Sequence, residues 1–137
     1  MEDEYRIHPI GVIRAELTSL EAAPLQGYEG TYEAWLELGE HVAQGLMGIA
    51  AGDELIILTW LHRAERDVLQ VHPRGNPANP LRGVFATRSQ DRPNPVGLHR
   101  VSVVEVAGQR LRVAPIEAID GTPIVDIKPA LAKSDTS

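Results

Sequence analysis

Backbone breakers divide this chain so finely that little beyond short strands fits between them. Twelve glycines and ten prolines are spread over 137 residues. The segment 5–16, "YRIHPIGVIRAE", is rich in β-branched residues, and 30–38, "GTYEAWLEL", alternates polar with apolar as a half-buried strand does. "ELIILTWL" (54–61) is a continuous apolar run of strand length, which predicts a strand buried on both faces. "RDVLQVHP" and "GVFAT" read as two further strands, and "RGNPANPLRG" between them holds too many breakers for a helix and predicts an ordered surface loop. The longest strand is 96–106, "VGLHRVSVVEV", which "AGQ" turns back into "RLRVAPIEAI" as a hairpin. "DGTP" is a turn by its Asp-Gly pair, and "IVDIK" follows as a last strand. One helix is expected, in "GEHVAQGLMGI", where Val42, Leu46 and Ile49 fall on one side, although Gly45 and Gly48 weaken it.

The pattern predicts a mainly all-β fold of about seven or eight mostly antiparallel strands with one short helix. Closing such a set into a barrel or a sandwich removes exposed edges. The length suits one domain, placed at 1–130, with 131–137 as a frayed tail.

The chain has no cysteine, which excludes thiolate metal sites, redox motifs and a disulfide framework and points to a reducing cytoplasm. Its first residues, "MEDEYRIHPI", are acidic where a signal peptide is basic and apolar. No run approaches the roughly 18 apolar residues of a membrane span, so a soluble protein is expected. The net charge of −6 is segregated: residues 1–60 carry two Lys/Arg against eleven Asp/Glu, residues 61–112 nine against four, and residues 113–137 two against four. No Walker loop, dinucleotide glycine motif or Gly-x-Ser-x-Gly elbow occurs. His8, His41, His62, His72 and His99 form no close ligand pair, and no metal is expected.

The basic segment contains "FATRSQDRPNPVGLHR" (85–100), with three arginines and two prolines in sixteen residues. Pro93 and Pro95 fix the backbone and Gly97 permits close approach. Arg88 follows a strand-like run, so its guanidinium is positioned to meet a carboxylate or phosphate in planar, bidentate fashion. Arg92 and Arg100 either secure the loop or meet phosphate. His62 closes the apolar run at 54–61, where it either ties down a loop or serves chemistry.

"VFATRSQDRPNPVGL", "DGTPIVDIKP" (120–129) and "IGVIR" (10–14) together resemble the TsaA-like family of TrmO-type tRNA methyltransferases, over nearly the whole chain. The resemblance implies a β-barrel that binds S-adenosylmethionine, works as a homodimer, and methylates N6 of threonylcarbamoyladenosine beside the tRNA anticodon. By motif, it implies cofactor contacts from Pro24, Leu25 and Gln26, from His62 and Arg63, from Arg88, from Leu98, and from Asp120, Gly121, Thr122 and Pro123. No catalytic base is assigned; methyl transfer by in-line displacement needs mainly alignment, and His62 is the one candidate if a base exists. Leu25 stands where the family carries an arginine and Ala130 where it often carries a tyrosine, departures that bear on the substrate more than the cofactor. Methylation of a small molecule or another RNA, and a sensor module that only binds S-adenosylmethionine, are the alternatives.

Overall fold

A computed structural model describes residues 3–15 and 32–131. In chain order its strands are β1 (Gly11–Arg14), β2 (Ala34–Leu38), β3 (Glu54–Trp60), β4 (Gln70–Val71), β5 (Arg82–Gly83), β6 (Val96–Ala107), β7 (Arg110–Ala114) and β8 (Pro123–Pro129). Along β3, buried Leu55, Ile57 and Thr59 alternate with half-buried Ile56, Leu58 and Trp60. The run is therefore not buried on both faces as expected. In an antiparallel sheet wrapped around one core, only every second side chain points inward.

β6 is long because it serves two neighbours: residues 96–102 pair with β3 and residues 102–107 with β7. A register shift between Val103 and Glu105 lets the strand bend from one partner to the other. β7 continues to β2, β2 to β1, β1 to β8 and β8 back to β3, all antiparallel, giving a closed barrel in the order β1-β2-β7-β6-β3-β8. Its interior is filled by Ile13, Leu36, Ile57, Val101, Val103, Leu111, Val113 and Ile124. Burying each such side chain contributes about 1.5–3 kcal/mol.

The mainly β, antiparallel class is the one read from the sequence, but six strands, not seven or eight, form the barrel. The remaining two, β4 and β5, make a separate ribbon. The expected strand "RDVLQVHP" contributes only β4, and "GVFAT" is a 3-10 turn at Val84–Ala86 preceded by β5. Between the ribbon's strands, the breaker-rich loop is ordered as expected. His72 Nδ1 lies 2.9 Å from the Asn79 carbonyl, and Asn79 Nδ2 donates to the Pro73 carbonyl at 2.7 Å. The helix is a 3-10 helix, Glu40–Leu46. Val42, Leu46 and Ile49 do pack against the core, while Gly48, at φ +97°, ends the turn before an α-helix can develop.

Candidate ligand-binding cleft

Two loops leave the same end of the barrel, one after β3 and one before β6, and they are fastened to each other. The Leu61 amide donates to the Pro95 carbonyl at 2.8 Å, the Glu65 amide to Asp91 Oδ1 at 2.9 Å, and the Arg92 amide to the Glu65 carbonyl at 3.1 Å. Arg66 adds Nε to the Pro93 carbonyl at 2.7 Å and Nη2 to Asn94 Oδ1 at 3.0 Å, with its guanidinium carbon 5.1 Å from the Trp60 ring centroid. Pro95 is buried beneath them.

Arg92 is the clamp of the second loop. Its Nη1 donates to the carbonyls of Ser89 at 2.7 Å and Thr87 at 3.3 Å, and its Nη2 to that of Val84 at 2.8 Å. It therefore secures the loop. Arg100 points away and pairs with Glu54 at 2.9 Å, both side chains more than half exposed. Of the three arginines in the motif, Arg88 is left presented at the rim, exposed.

The fastened loops frame a cleft of about 240 Å³. His62, Arg63, Arg88, Leu98 and Thr122, five of the residues expected to contact a cofactor, line it together. The other turn residues do not. Asp120 accepts the Ala15 amide on Oδ1 at 3.0 Å and faces Arg14 through Oδ2 at 3.9 Å. Gly121, at φ +86°, donates its amide to the Ile13 carbonyl at 2.7 Å. This turn thus docks on the end of β1, presenting only buried Thr122 to the cleft, while Pro123 faces a different groove. Pro24, Leu25 and Gln26 lie outside the described residues.

Sequence reasoning missed two titratable residues of the cleft. Glu117 is the one carboxylate lining it among the described residues, in the same cleft as His62, Arg63, Arg88 and Arg92. His99 is the other. It extends the inward phase of β6 set by Val101 and Val103, and its Nε2 lies 3.0 Å from Oγ1 of fully buried Thr59. Gly97, the next inward position, leaves room for this pair, because a Cβ there would collide with Thr59 Oγ1 and stand 3.1 Å from His99 Nε2. Burial lowers the His99 pKa below its ordinary 6.5, so the ring is neutral at pH 7. The period-2 alternation 97, 99, 101, 103 was the available signal for His99. The phase of the 115–122 connection, which exposes Glu117 to the cleft instead of Asp120, has no such signal.

The geometry is that of a mainly β, antiparallel chain with a cationic cleft at one end of its barrel, containing a single carboxylate among the described residues. The chain belongs to the family described as the tRNA-methyltransferase O N-terminal domain, whose model matches residues 12–136. It is 42% identical over 126 residues to a probable S-adenosyl-L-methionine-binding protein of Methanothermobacter thermautotrophicus, covering 92% of this chain and 90% of that one. It is 39% identical over 122 residues to an S-adenosyl-L-methionine-binding protein of Archaeoglobus fulgidus, covering 89% and 86%. The crystal structure of TrmO from Pseudomonas aeruginosa superposes with a TM-score of 0.76 at 28% identity, over 98% of this chain but 60% of that one. The chain thus spans about three-fifths of the solved TrmO chain. Among the described residues no helix is long and apolar enough to cross a membrane, and no cluster of side chains fits a metal ion.

Proposed function

We propose that this chain is an S-adenosylmethionine-dependent methyltransferase acting on tRNA, at N6 of threonylcarbamoyladenosine beside the anticodon. The observation that carries it is the convergence of His62, Arg63, Arg88, Leu98 and Thr122 on one cleft, in a member of a family described by tRNA methyl transfer. The donor set fits the cofactor's chemistry. Guanidinium at the rim suits its carboxylate, Glu117 offers a counter-charge to its cationic groups, and apolar Leu98, Ala118 and Ile119 offer walls to a flat base. Bound there, S-adenosylmethionine supplies an electrophilic methyl group.

What the protein contributes is alignment. The two fastened loops hold Arg88, His62 and Arg63 in fixed relation to the start of β6, so a ligand gripped at both ends is pre-oriented at little entropic cost. Asp120, Gly121 and Pro123 support the cleft by docking its turn on β1, and Thr122 lines it. We take His62, exposed at the rim, as the candidate base for the N6–H of the acceptor. We place the enzyme in the cytoplasm as a homodimer, with residues 1–130 as its domain.

The names of the relatives favour a second reading, a module that binds S-adenosylmethionine without transferring its methyl group. Incubation of the purified protein with S-adenosylmethionine and tRNA lacking this methyl, followed by mass spectrometry of the nucleosides, separates the two. The enzyme reading expects a mass gain of one methyl on threonylcarbamoyladenosine; cofactor binding with no methylated nucleoside rejects it.

A further inference from the structure

The His99–Thr59 pair fixes more than packing. Thr59 is fully buried, and among the described residues its hydroxyl has His99 Nε2 as its hydrogen-bond partner. A buried hydroxyl hydrogen needs an acceptor, so Nε2 accepts and the neutral ring carries its proton on Nδ1. No buried side-chain nitrogen or oxygen among the described residues lacks a partner, and no bond from Nδ1 is found there. Nδ1–H therefore opens onto the cleft that His99 lines.

We propose that His99 is a specificity-determining residue whose Nδ1–H donates to an uncharged acceptor on the nucleoside half of the ligand. This rests on the reading that the cleft takes S-adenosylmethionine. The two halves of that ligand ask for different donors: a carboxylate is best met by a guanidinium, which Arg88 presents at the exposed rim. A partly buried neutral N–H, sharing the cleft with Gly97, Ala118, Ile119 and Thr122, matches a ring nitrogen or ribose oxygen without leaving a charge uncompensated. Burial favours the neutral ring, in a cleft whose other charged side chains, among the described residues, are the guanidiniums of Arg63, Arg88 and Arg92 and the carboxylate of Glu117.

Calorimetric titration with S-adenosylhomocysteine and with methylthioadenosine, which keeps the nucleoside but lacks the amino-acid end, tests this. His99→Ala is expected to weaken both by about 3- to 10-fold, the worth of one neutral hydrogen bond. Arg88→Ala is expected to weaken only S-adenosylhomocysteine. Unchanged methylthioadenosine affinity in a folded His99→Ala protein overturns the proposal while leaving the cofactor reading intact; failure of the wild-type protein to bind either ligand overturns both. An independent readout needs no ligand and no variant. Ring-nitrogen NMR of the wild-type protein should show the Nδ1–H tautomer, with Thr59→Val releasing a share of Nε2–H, and a wild-type ring already in the Nε2–H form contradicts the assignment.

Discussion

Arg92 donates to three loop carbonyls while its own amide is held by Glu65. Truncating it leaves the Thr87 and Ser89 carbonyls without this donor, while that of Val84 keeps the Thr87 amide and hydroxyl, and each hydrogen bond from a charged group contributes about 1.5–3 kcal/mol in favourable cases. Arg92→Ala should therefore lower the melting temperature, with a loss of about 1–3 kcal/mol after solvent replaces part of the bonding. Arg92→Lys should recover little, since an ammonium cannot span the three acceptors as a planar fork does. An unchanged melting temperature in Arg92→Ala would show that the loop is held by its other contacts. At His99 the sign of the pH dependence follows from a folded pKa lowered by burial. The unfolded chain binds more protons below about 6.5, so stability from the neutral ring is complete above that pH and is lost as the pH falls toward the folded value. Chemical denaturation at pH 7.5 and pH 5 should show a decline that shrinks in His99→Asn; an equal decline in both proteins would assign the effect to other groups.

At the scale of elements, legibility followed the locality of the signal. The hairpin at Gly108 and the Asp-Gly turn at 120–121 appear where turn chemistry places them, because a two- to four-residue preference needs no tertiary help. The apolar face Val42, Leu46 and Ile49 was legible too, yet the helix type was not, since Gly45 and Gly48 shortened it. "GVFAT" misled for a different reason: its β-branched residues suit a strand, but Arg92 captures the Val84 carbonyl and the Thr87 amide also bonds to it, closing a turn. Strand 54–61 looked buried on both faces because composition cannot distinguish a core-facing side chain from one half-covered outside. In the cleft, His62 was legible because it follows the end of β3, and Arg88 because the motif around it marks it, although the run before it is a turn and not the expected strand. Asp120 stands outside the lining of the cleft and Glu117 and His99 within it, because which side of a connection or strand faces the cleft is decided by the barrel's register.

For the whole molecule, the segregated charge noted in the sequence resolves partly within the chain. Basic Arg112 donates to Glu33 at 2.8 Å and to Glu105 at 3.0 Å, and Arg14 to Glu37 at 3.1 Å, on the barrel's outer surface. Of these, Arg112–Glu33 joins the basic segment to the acidic one, as Arg100–Glu54 also does; each exposed pair contributes little, about 0–1 kcal/mol. Arg88, exposed at the rim of the cleft, enters none of these pairs. The most direct measurement is a calorimetric titration of the intact protein with S-adenosylmethionine, beside a folded Arg88→Ala variant. Saturable binding of one cofactor per cleft is expected, weakened by about 1.5–3 kcal/mol in the variant. No binding heat, or equal affinity in the two proteins, would contradict the cleft as the cofactor's site.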